Sequence, residues 1–340
     1  MSPDQELRAR VRALIDGYQA AQTICIAARL GLADHLAPGP ATTKHLASAC
    51  GADPTALRRL LRALATLGVV VDRGGDSFGL GVAGAWLRSG VPGSLGPHAL
   101  LSGERSYAAW GGLLESVRTG ETAFVKVFGT TTFEYMADRP ELRAVYDAAM
   151  AASAEDLAAA VLEAVALPER GTVVDVGGGA GALLAAVLAR YPGLRGILLE
   201  RPAAAAAATR RFEEAGLMSR TRVETGDFFE QVPLAGEAYV LSHILHNWDD
   251  LRCAAILERC RAAMAPPARL LVVEKVLPER AEASPAMQEI FMADLHMLAI
   301  TGGLERTRED YSALFAGAGF RLTQVVPLRS ANSVLEAVPA

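Results

Sequence analysis

The stretch Val173-Val174-Asp175-Val176-Gly177-Gly178-Gly179-Ala180-Gly181 decides the fold of this chain. The residues from Thr172 to Val176 are mostly β-branched and apolar, which predicts a buried strand. The glycines that follow allow a tight turn and let a ligand approach bare backbone. Residues 182–190 continue with a helical pattern, and the start of a helix offers unpaired N–H groups to a carboxylate or a phosphate. The stretch therefore predicts a strand, a nucleotide-binding turn and a helix.

Two kinds of ligand suit this glycine turn. Gly177, Gly179 and Ala182 match the loose dinucleotide fingerprint, so a nicotinamide-dependent oxidoreductase is one hypothesis. Asp175 argues against it, because a carboxylate two residues before the first glycine repels a pyrophosphate and attracts a cationic amino-acid group. S-adenosylmethionine (SAM) carries an ammonium, a carboxylate and a sulfonium, and it best matches a carboxylate, a glycine turn and a helix start together. We therefore expect SAM as the cofactor.

Composition sets the outer bounds. The length of 340 residues suits two domains, since single cores stop growing at roughly 250 to 300 residues. The formal net charge of −5 gives no support for nucleic-acid binding by the chain as a whole. Residues 1–8 are polar, which argues against a signal peptide, and no apolar run reaches the ~20 residues that cross a bilayer. We expect a cytoplasmic protein without a membrane partner, whose cysteines are core thiols: Cys25, Cys50, Cys253 and Cys260.

The first 91 residues predict a mostly helical winged-helix domain. Residues 7–37 carry more apolar surface than one helix at the edge of a monomer needs, which indicates contact with a second subunit. A short helix over 43–50, a second helix to about residue 67 and a hairpin over 69–80 then follow. The arginines of the second helix suggest one alternative, a winged-helix regulator that binds DNA and a small ligand: Arg58, Arg59 and Arg62. Acidic neighbours and the absence of a basic wing favour an exposed amphipathic face instead.

Residues 169–340 predict an α/β, Rossmann-like, doubly wound domain. Strands are expected near 172–176, 196–200, 221–225, 237–242, 268–275, 320–327 and 333–338, with helices between them. Right-handed crossovers bring the carboxyl ends of the parallel strands to one edge, where ligands bind. Residues 92–168 are predicted as a helical linker whose aromatic residues line a substrate pocket.

Polar residues follow the predicted strands at that edge. Glu200 ends the second strand, where a carboxylate can accept hydrogen bonds from both ribose hydroxyls, in SAM or in NAD alike. Gly226, Asp227 and Phe228 follow the third strand, where the aspartate can accept from an adenine amine and the phenyl ring can cover the base.

Histidines follow the fourth strand, in Leu241 to Asp250. A phenol, with a pKa of about 10, attacks an electrophile poorly while protonated, and a neutral imidazole of pKa near 6.5 can take the proton. Such a base needs a partner that fixes its tautomer, and Glu274 and Glu305 lie on the same predicted edge. A metal site is the alternative for the polar set His243, His246, Asp294 and His296. Methyl transfer to a phenol needs no metal and the H-x-x-H pair lies in a loop, so we expect none.

These motifs together resemble the SAM-dependent small-molecule O-methyltransferases, a family that includes plant caffeate-type enzymes and bacterial enzymes that tailor mitomycin, anthracyclines and phenazines. The resemblance covers nearly the whole chain. It rests on residues 174–181, on Leu-Leu-Glu-Arg-Pro at 198–202, on Gly-Asp-Phe-Phe at 226–229, on Leu-His-Asn-Trp-Asp-Asp at 245–250 and on Gly-Gly-Leu-Glu-Arg-Thr at 302–307.

The resemblance implies a class I methyltransferase fold of seven strands, an intertwined homodimer and an aromatic small-molecule substrate. It makes His246 the base and Glu274 and Glu305 its supporting acids, although some bacterial relatives work by proximity alone. Ser242 stands where plant relatives have a lysine, and Asn247 where an aspartate is common. The predicted cofactor-binding residues are Asp175, Gly177, Gly179, Glu200, Arg201, Gly226, Asp227, Phe228, Ser242, His243 and Trp248. The predicted substrate-binding residues are Trp110, Phe133, Tyr146, Met150, Asp294, His296 and Met297.

Overall fold

The computed structural model describes residues 2–234 and 236–340, and two compact units make up the chain. The first unit runs to Ala108 and includes Arg139–Ala152; the second comprises Ala109–Asp138 and Ser153–Ala340. Met1, the first residue of the predicted domain 1–91, lies outside the described residues. The predicted linker 92–168 is not a region of its own, because its residues fall in both units. One continuous helix, Pro140–Ala164, supplies residues to each.

The first unit begins with three helices, followed by the two helices and the hairpin that the sequence predicts. Asp53 caps the fifth helix by accepting from the Ala56 N–H, and Pro54 occupies its first position. Leu57, Leu61 and Leu64 of that helix are buried, and Arg58 pairs with Asp76 at 3.3 Å. The elements are α1 (Pro3–Ile15), α2 (Gly17–Arg29), α3 (Leu32–Leu36), β1 (Ala41–Thr42), α4 (Thr43–Cys50), α5 (Pro54–Thr66), β2 (Val70–Gly74), β3 (Ser77–Leu80), α6 (Gly96–Leu101) and α7 (Tyr107–Trp110), which ends in the second unit.

The second unit alternates strands and helices, as the sequence predicts. Three short helices come first: α8 (Leu113–Thr119), α9 (Ala123–Phe128) and α10 (Thr132–Ala137). The long helix α11 (Pro140–Ala164) follows, and only its part from Ser153 onward belongs to this unit. The sheet and its helices follow: β4 (Gly171–Val176), α12 (Ala182–Arg190), β5 (Leu194–Glu200), α13 (Pro202–Glu214), β6 (Thr221–Thr225), β7 (Ala238–Ser242), α14 (Asp250–Ala263), β8 (Arg269–Leu277), α15 (Pro285–Ile300), β9 (Arg306–Thr307), α16 (Arg308–Gly317), β10 (Phe320–Pro327) and β11 (Asn332–Pro339).

The central sheet has the strand order β10-β11-β8-β7-β4-β5-β6, so the seven predicted strands are confirmed. Strands β4 to β8 pair in parallel, whereas β11 is antiparallel to both β8 and β10. An eighth strand, the two-residue β9, was not predicted and pairs with the end of β8. The order reverses at β4, whose neighbours are β5 and β7. Such a reversal opens a crevice at the carboxyl ends of the strands, which is where the predicted ligand residues lie.

Strand β4 is buried on both faces. Val174 and Val176 belong to one apolar cluster, with Tyr239 and Phe315, while Val173 belongs to the other. Continuous apolar character of this kind is typical of parallel strands covered by helices on each side. Within residues 2–234 and 236–340, no helix combines the length and the hydrophobicity needed to cross a membrane.

Candidate active site

The glycine turn after β4 has the backbone that the sequence predicts. Gly177, Gly179 and Gly181 have φ values of 73°, 57° and 74°, a region that side chains other than glycine rarely adopt. A side chain at Gly177 would lie 2.6 Å from Cδ1 of Ile244, and one at Gly181 would lie 2.7 Å from the ring of Phe212. Glycine is therefore required at Gly177 and Gly181 by both backbone angle and space. The N–H groups of Gly177 and Gly179 donate to the Leu199 carbonyl and to Glu200 Oε2, which ties the turn to the end of β5.

Asp175 lies beneath this turn, with only 1% of its surface exposed. Its carboxylate sits directly against the Cα of Gly178, and neither oxygen has a hydrogen-bond partner among the described residues. Burial, followed by the negative charge of Glu200, raises the pKa of Asp175 to about 7. The sequence predicts a carboxylate that faces the ligand openly, whereas the structure holds it under the backbone. A cation above the turn would stabilise its charged form.

Three strand ends meet at Glu200. Its Oε2 accepts from the N–H of Gly179 at 3.0 Å and its Oε1 from the N–H of Arg201 at 2.7 Å, while its carbonyl accepts from the N–H of Gly226 at 3.1 Å. The guanidinium of Arg201 donates to Asp227 Oδ2 at 3.3 Å. The structure thus brings together the predicted cofactor residues that follow β4, β5 and β6.

Trp248 lies at the centre of an aromatic group. Its ring stacks on Phe133 with centroids 5.9 Å apart and planes 22° apart, and Phe229 and Phe228 meet it edge-on at 5.0 and 6.5 Å. The Arg252 guanidinium lies 5.2 Å from the indole centroid. A predicted cofactor residue, Trp248, therefore contacts a predicted substrate residue, Phe133.

His246 is held by two buried carboxylates. Its Nδ1 lies 3.1 Å from Glu305 Oε1, with hydrogen-bond geometry, and 3.2 Å from Glu274 Oε2. Glu274 is 0% exposed, and its Oε1 accepts from the N–H groups of Leu245 at 2.8 Å and His246 at 3.3 Å. Asp294 Oδ1 accepts from the N–H of Glu305 at 2.9 Å. The predicted cluster of one imidazole and two acids is present.

The charges of this cluster are coupled. Burial by itself lowers the pKa of His246, but the negative charges of Glu274 and Glu305 and the hydrogen bond to Glu305 outweigh it, so the pKa is raised above 6.5. Burial raises the pKa of Glu274, with the imidazole opposing and Glu305 reinforcing the shift. Two acids around one imidazole therefore favour its protonated form.

His243 is the second histidine of the loop, and its backbone is unusual. Its φ is 55°; its N–H donates to the Val273 carbonyl at 3.0 Å, and its carbonyl accepts from Asn247 Nδ2 at 3.0 Å. Its ring meets the His246 ring edge-on, with centroids 5.2 Å apart. Burial, then His246 and Lys275, lowers the pKa of His243 to about 3, so this imidazole is neutral. Ser242 ends β7 directly before it.

The predicted substrate residues are divided between the two units. Trp110 Nε1 donates to His296 Nδ1 at 3.0 Å, and Met297 follows in the same helix. Tyr146 and Met150 lie in the first unit, where the Arg105 guanidinium is 5.7 Å from the Tyr146 ring centroid. Their part in the pocket stays a prediction.

The polar set considered for metal is not the one that the structure groups. Within the described part of the chain, the side chains that place metal-ligand atoms within 4.8 Å of one another are His243, His246 and Glu274. His296 instead accepts from Trp110, and Asp294 accepts from the backbone of Glu305.

Arg306 is a residue that sequence analysis missed. It is 1% exposed, and its guanidinium donates to Asp250 Oδ1 at 2.7 and 2.9 Å and to the carbonyls of Leu245 at 3.2 Å, Trp248 at 2.9 Å and Leu304 at 3.4 Å. It therefore ties the loop of His246 to the segment of Glu305. Its adjacency to Glu305 was the available signal, but its partners Leu245, Trp248 and Asp250 lie more than fifty positions away.

Two family models match this chain. The O-methyltransferase domain model matches residues 110–321, and the O-methyltransferase dimerisation domain model matches residues 13–87. The chain belongs to the O-methyltransferase family. It is therefore a SAM-dependent O-methyltransferase, and neither the transcriptional regulator nor the nicotinamide oxidoreductase is favoured.

Similar proteins of this family include one curated relative and two solved structures. The phenazine O-methyltransferase PhzM of Lysobacter antibioticus is 43% identical over 326 residues, 96% of this chain and 94% of that protein. The mitomycin 7-O-methyltransferase MmcR has a TM-score of 0.92 at 36% identity, over 99% of each chain. NcsB1 of neocarzinostatin biosynthesis, solved with SAM and a naphthoic acid, has a TM-score of 0.82 at 34% identity, over 94% of this chain and 96% of that one.

The residues of this O-methyltransferase fit the cofactor of its family. SAM needs an anionic partner for its ammonium, and Asp175 provides a buried carboxylate without a hydrogen-bond partner among the described residues. Glu200 provides a second carboxylate beside the turn, positioned by the N–H of Gly179. A cationic amino-acid ligand is the charge type that this edge of the sheet accommodates.

The substitution Asp175→Asn should change the pH dependence of protein stability and weaken SAM binding, and the two effects can be measured independently. Because the folded-state pKa is about 7 against an ordinary 3.8, the folded wild type binds this proton more tightly and loses stability as the pH rises between those values. Asparagine does not titrate, so the variant does not lose this stability. Its unfolding free energy should therefore rise relative to that of the wild type by roughly 2–3 kcal/mol from pH 5 to pH 8. Denaturant unfolding at both values measures this. Calorimetry should show weaker SAM binding by the variant. If the unfolding free energies of variant and wild type changed equally with pH, Asp175 would not be a buried carboxylate with a raised pKa.

Arg306→Met should destabilise the loop of His246. The change leaves three carbonyls without their donor, which costs about 2–4 kcal/mol of unfolding free energy and lowers turnover as the imidazole loses its fixed position. Asp250→Asn is the matched control: its side chain is 75% exposed, so less than about 1 kcal/mol is expected. Denaturant titration measures the unfolding free energy of each variant, and a methyl-transfer assay measures its turnover. Equal effects of the two substitutions would argue against the role of Arg306 in holding the loop of His246.

Proposed function

We propose that this enzyme transfers the methyl group of SAM to a phenolic hydroxyl of a small aromatic molecule, with His246 as the general base. Glu274 and Glu305 hold the imidazole and stabilise the imidazolium that forms. The observation that carries the proposal is the pair of buried carboxylates at one nitrogen, 3.1 and 3.2 Å from His246 Nδ1.

The hydrogen bond at Nδ1 selects the reactive tautomer. When Nδ1 donates its proton to Glu305, the lone pair of the neutral ring is on Nε2. Nε2 can then accept the hydroxyl proton as the phenolic oxygen becomes the nucleophile. The two carboxylates stabilise the resulting positive charge in a buried setting, where such interactions are strong.

SAM, when bound, supplies a methyl group on a positively charged sulfur. The chain's part is to hold and orient: Asp175 and the glycine turn bind the amino-acid end, and Glu200 binds the ribose. Because a displacement at carbon needs an in-line approach, much of the rate comes from positioning the hydroxyl between the cofactor and His246.

An aromatic acceptor suits the side chains beside the base. Trp110, Phe133 and Trp248 belong to the second unit, as His246 does, and the stacked pair Phe133 and Trp248 offers flat apolar surface. Two relatives are named as a phenazine O-methyltransferase and a mitomycin 7-O-methyltransferase, and NcsB1 was solved with a naphthoic acid. A phenolic natural product is therefore the proposed substrate class.

The proposed assembly is a homodimer through the N-terminal domain. Helix α1 buries none of its residues, yet Leu7, Val11, Leu14 and Ile15 lie on one side of it and are between 48% and 68% exposed. An apolar stripe of that size needs a partner surface. The dimerisation domain model over residues 13–87 supports a second copy as that partner.

His246→Ala should keep SAM affinity, measured by calorimetry, and lose about 10²-fold or more in turnover, because no other group accepts the hydroxyl proton. Near-normal turnover would mean that His246 is not the general base and that the enzyme works by positioning the reactants alone.

The pH dependence of the methyl-transfer rate tests the role of His246 in a second way. Since its two acids raise the pKa of His246, the wild-type rate should rise with pH through a midpoint above 6.5. Glu305→Gln keeps the imidazole but removes one negative charge, so its midpoint should move to lower pH. An unchanged midpoint would mean that another group controls the profile.

Leu7→Glu combined with Leu14→Glu should convert the dimer to monomers, because charges placed seven residues apart on one helix face oppose burial of the stripe. Light scattering after gel filtration measures the mass. Ala9→Glu lies on the opposite side of α1 at about 3.6 residues per turn and should leave the dimer intact. A dimer that survives the double substitution would exclude α1 from the interface.

A further inference from the structure

His243 is a buried imidazole that the proposed mechanism does not use as a base. Its Nε2 has no hydrogen-bond partner among the described residues, and the same is true of Glu274 Oε2, which faces His246 Nδ1 at 3.2 Å. Unsatisfied buried polar atoms are rare and call for a partner. Glu274 Oε2 lies beside His246 Nδ1, and the ring of His243 meets the ring of His246 edge-on.

The spacing of these side chains matches a tetrahedral metal. Bonds of about 2.0–2.2 Å at tetrahedral angles put ligand atoms roughly 3.3 Å apart and the centres of two bound imidazoles roughly 5 Å apart. Observed values are 3.1 and 3.2 Å from His246 Nδ1 to the Glu305 and Glu274 oxygens, and 5.2 Å between the two imidazole centroids. The ligand atoms of His243, His246 and Glu274 all lie within 4.8 Å of one another.

The backbone of the loop is already set for this geometry. A φ of 55° is uncommon for histidine, and the bonds of His243 to the Val273 carbonyl and the Asn247 side chain keep it there. The carboxylates of Glu274, Glu305 and Asp250 exceed the positive charges of Lys275 and Arg306, and Arg306 is paired with Asp250. A divalent cation is therefore favoured by both position and charge.

We infer that His243, His246 and Glu274 form an inhibitory site for a borderline-soft divalent cation, Zn²⁺ being the best match to two imidazoles and a carboxylate. The cation takes the place of the proton on His246 Nδ1, and that proton moves to Nε2. An Nε2 that carries a proton cannot accept another from the substrate hydroxyl, so methyl transfer stops. The inhibition, though not the binding, rests on the proposed role of His246 as the base.

Calorimetry tests the site directly. Full-length protein without a histidine tag, stripped of metal by chelating resin, is titrated with ZnCl₂. One Zn²⁺ per chain should bind, and MgCl₂ should not, because Mg²⁺ prefers oxygen ligands. His243→Asn is the decisive variant, since asparagine tolerates the positive φ but is a poor zinc ligand. Its zinc affinity should fall more than about 10-fold. His45→Gln, at an exposed histidine, should keep wild-type affinity, and circular dichroism checks that both variants fold.

The activity assay tests the inhibition. Zn²⁺ should reduce wild-type methyl transfer, EDTA should restore it, and His243→Asn should need more than about 10-fold more Zn²⁺ for the same fractional loss relative to its own metal-free rate. Absence of binding, an affinity unchanged in His243→Asn, or binding without inhibition would each overturn the inference. The proposed base role is judged separately, because His246→Ala is assayed without metal.

Discussion

Buried negative charge is the constraint on which this structure depends. Asp175, Glu274 and Glu305 are each at most 2% exposed, and all three lie where the parallel strands end in the second unit. A protein interior tolerates ionised carboxylates only beside donors or positive charge. Two backbone N–H groups and an imidazole compensate Glu274, and the same imidazole compensates Glu305, whereas Asp175 has no partner among the described residues. One oxygen each of Glu274 and Glu305 and both oxygens of Asp175 nevertheless lack a hydrogen-bond partner among the described residues, so positive charge at either place would be stabilised.

Much of the fold could be predicted because strand ends in a doubly wound sheet obey simple rules. The period-two and apolar patterns located all seven strands, and chain order then placed Asp175, Glu200, Asp227, His246 and Glu274 at one edge. Glu305 was placed there by resemblance and by its glycine turn. Each of these residues lies in a strand, directly after one, or beside a glycine turn, and these features leave a clear local signal, so local rules were sufficient.

The rest depended on contacts that no local pattern encodes. Arg306 owes its role to carbonyls some sixty positions away, and the residues next to it in sequence give no sign of those contacts. The pairing of Trp110 with His296 joins residues 186 positions apart. The predicted linker 92–168 failed as a unit because helix propensity shows that Pro140–Ala164 is helical but not which residues its two halves contact. The burial of Asp175 beneath the turn likewise depends on the path of the backbone above it.

The stacked pair of Phe133 and Trp248 joins two segments of the second unit that lie far apart in the sequence. Trp248 belongs to the loop that carries the base, whereas Phe133 is on the short helix α10, which is not an insertion into the sheet. Substitutions in residues 110–137 can therefore reshape the wall of the cavity while the strand ends keep their polar groups.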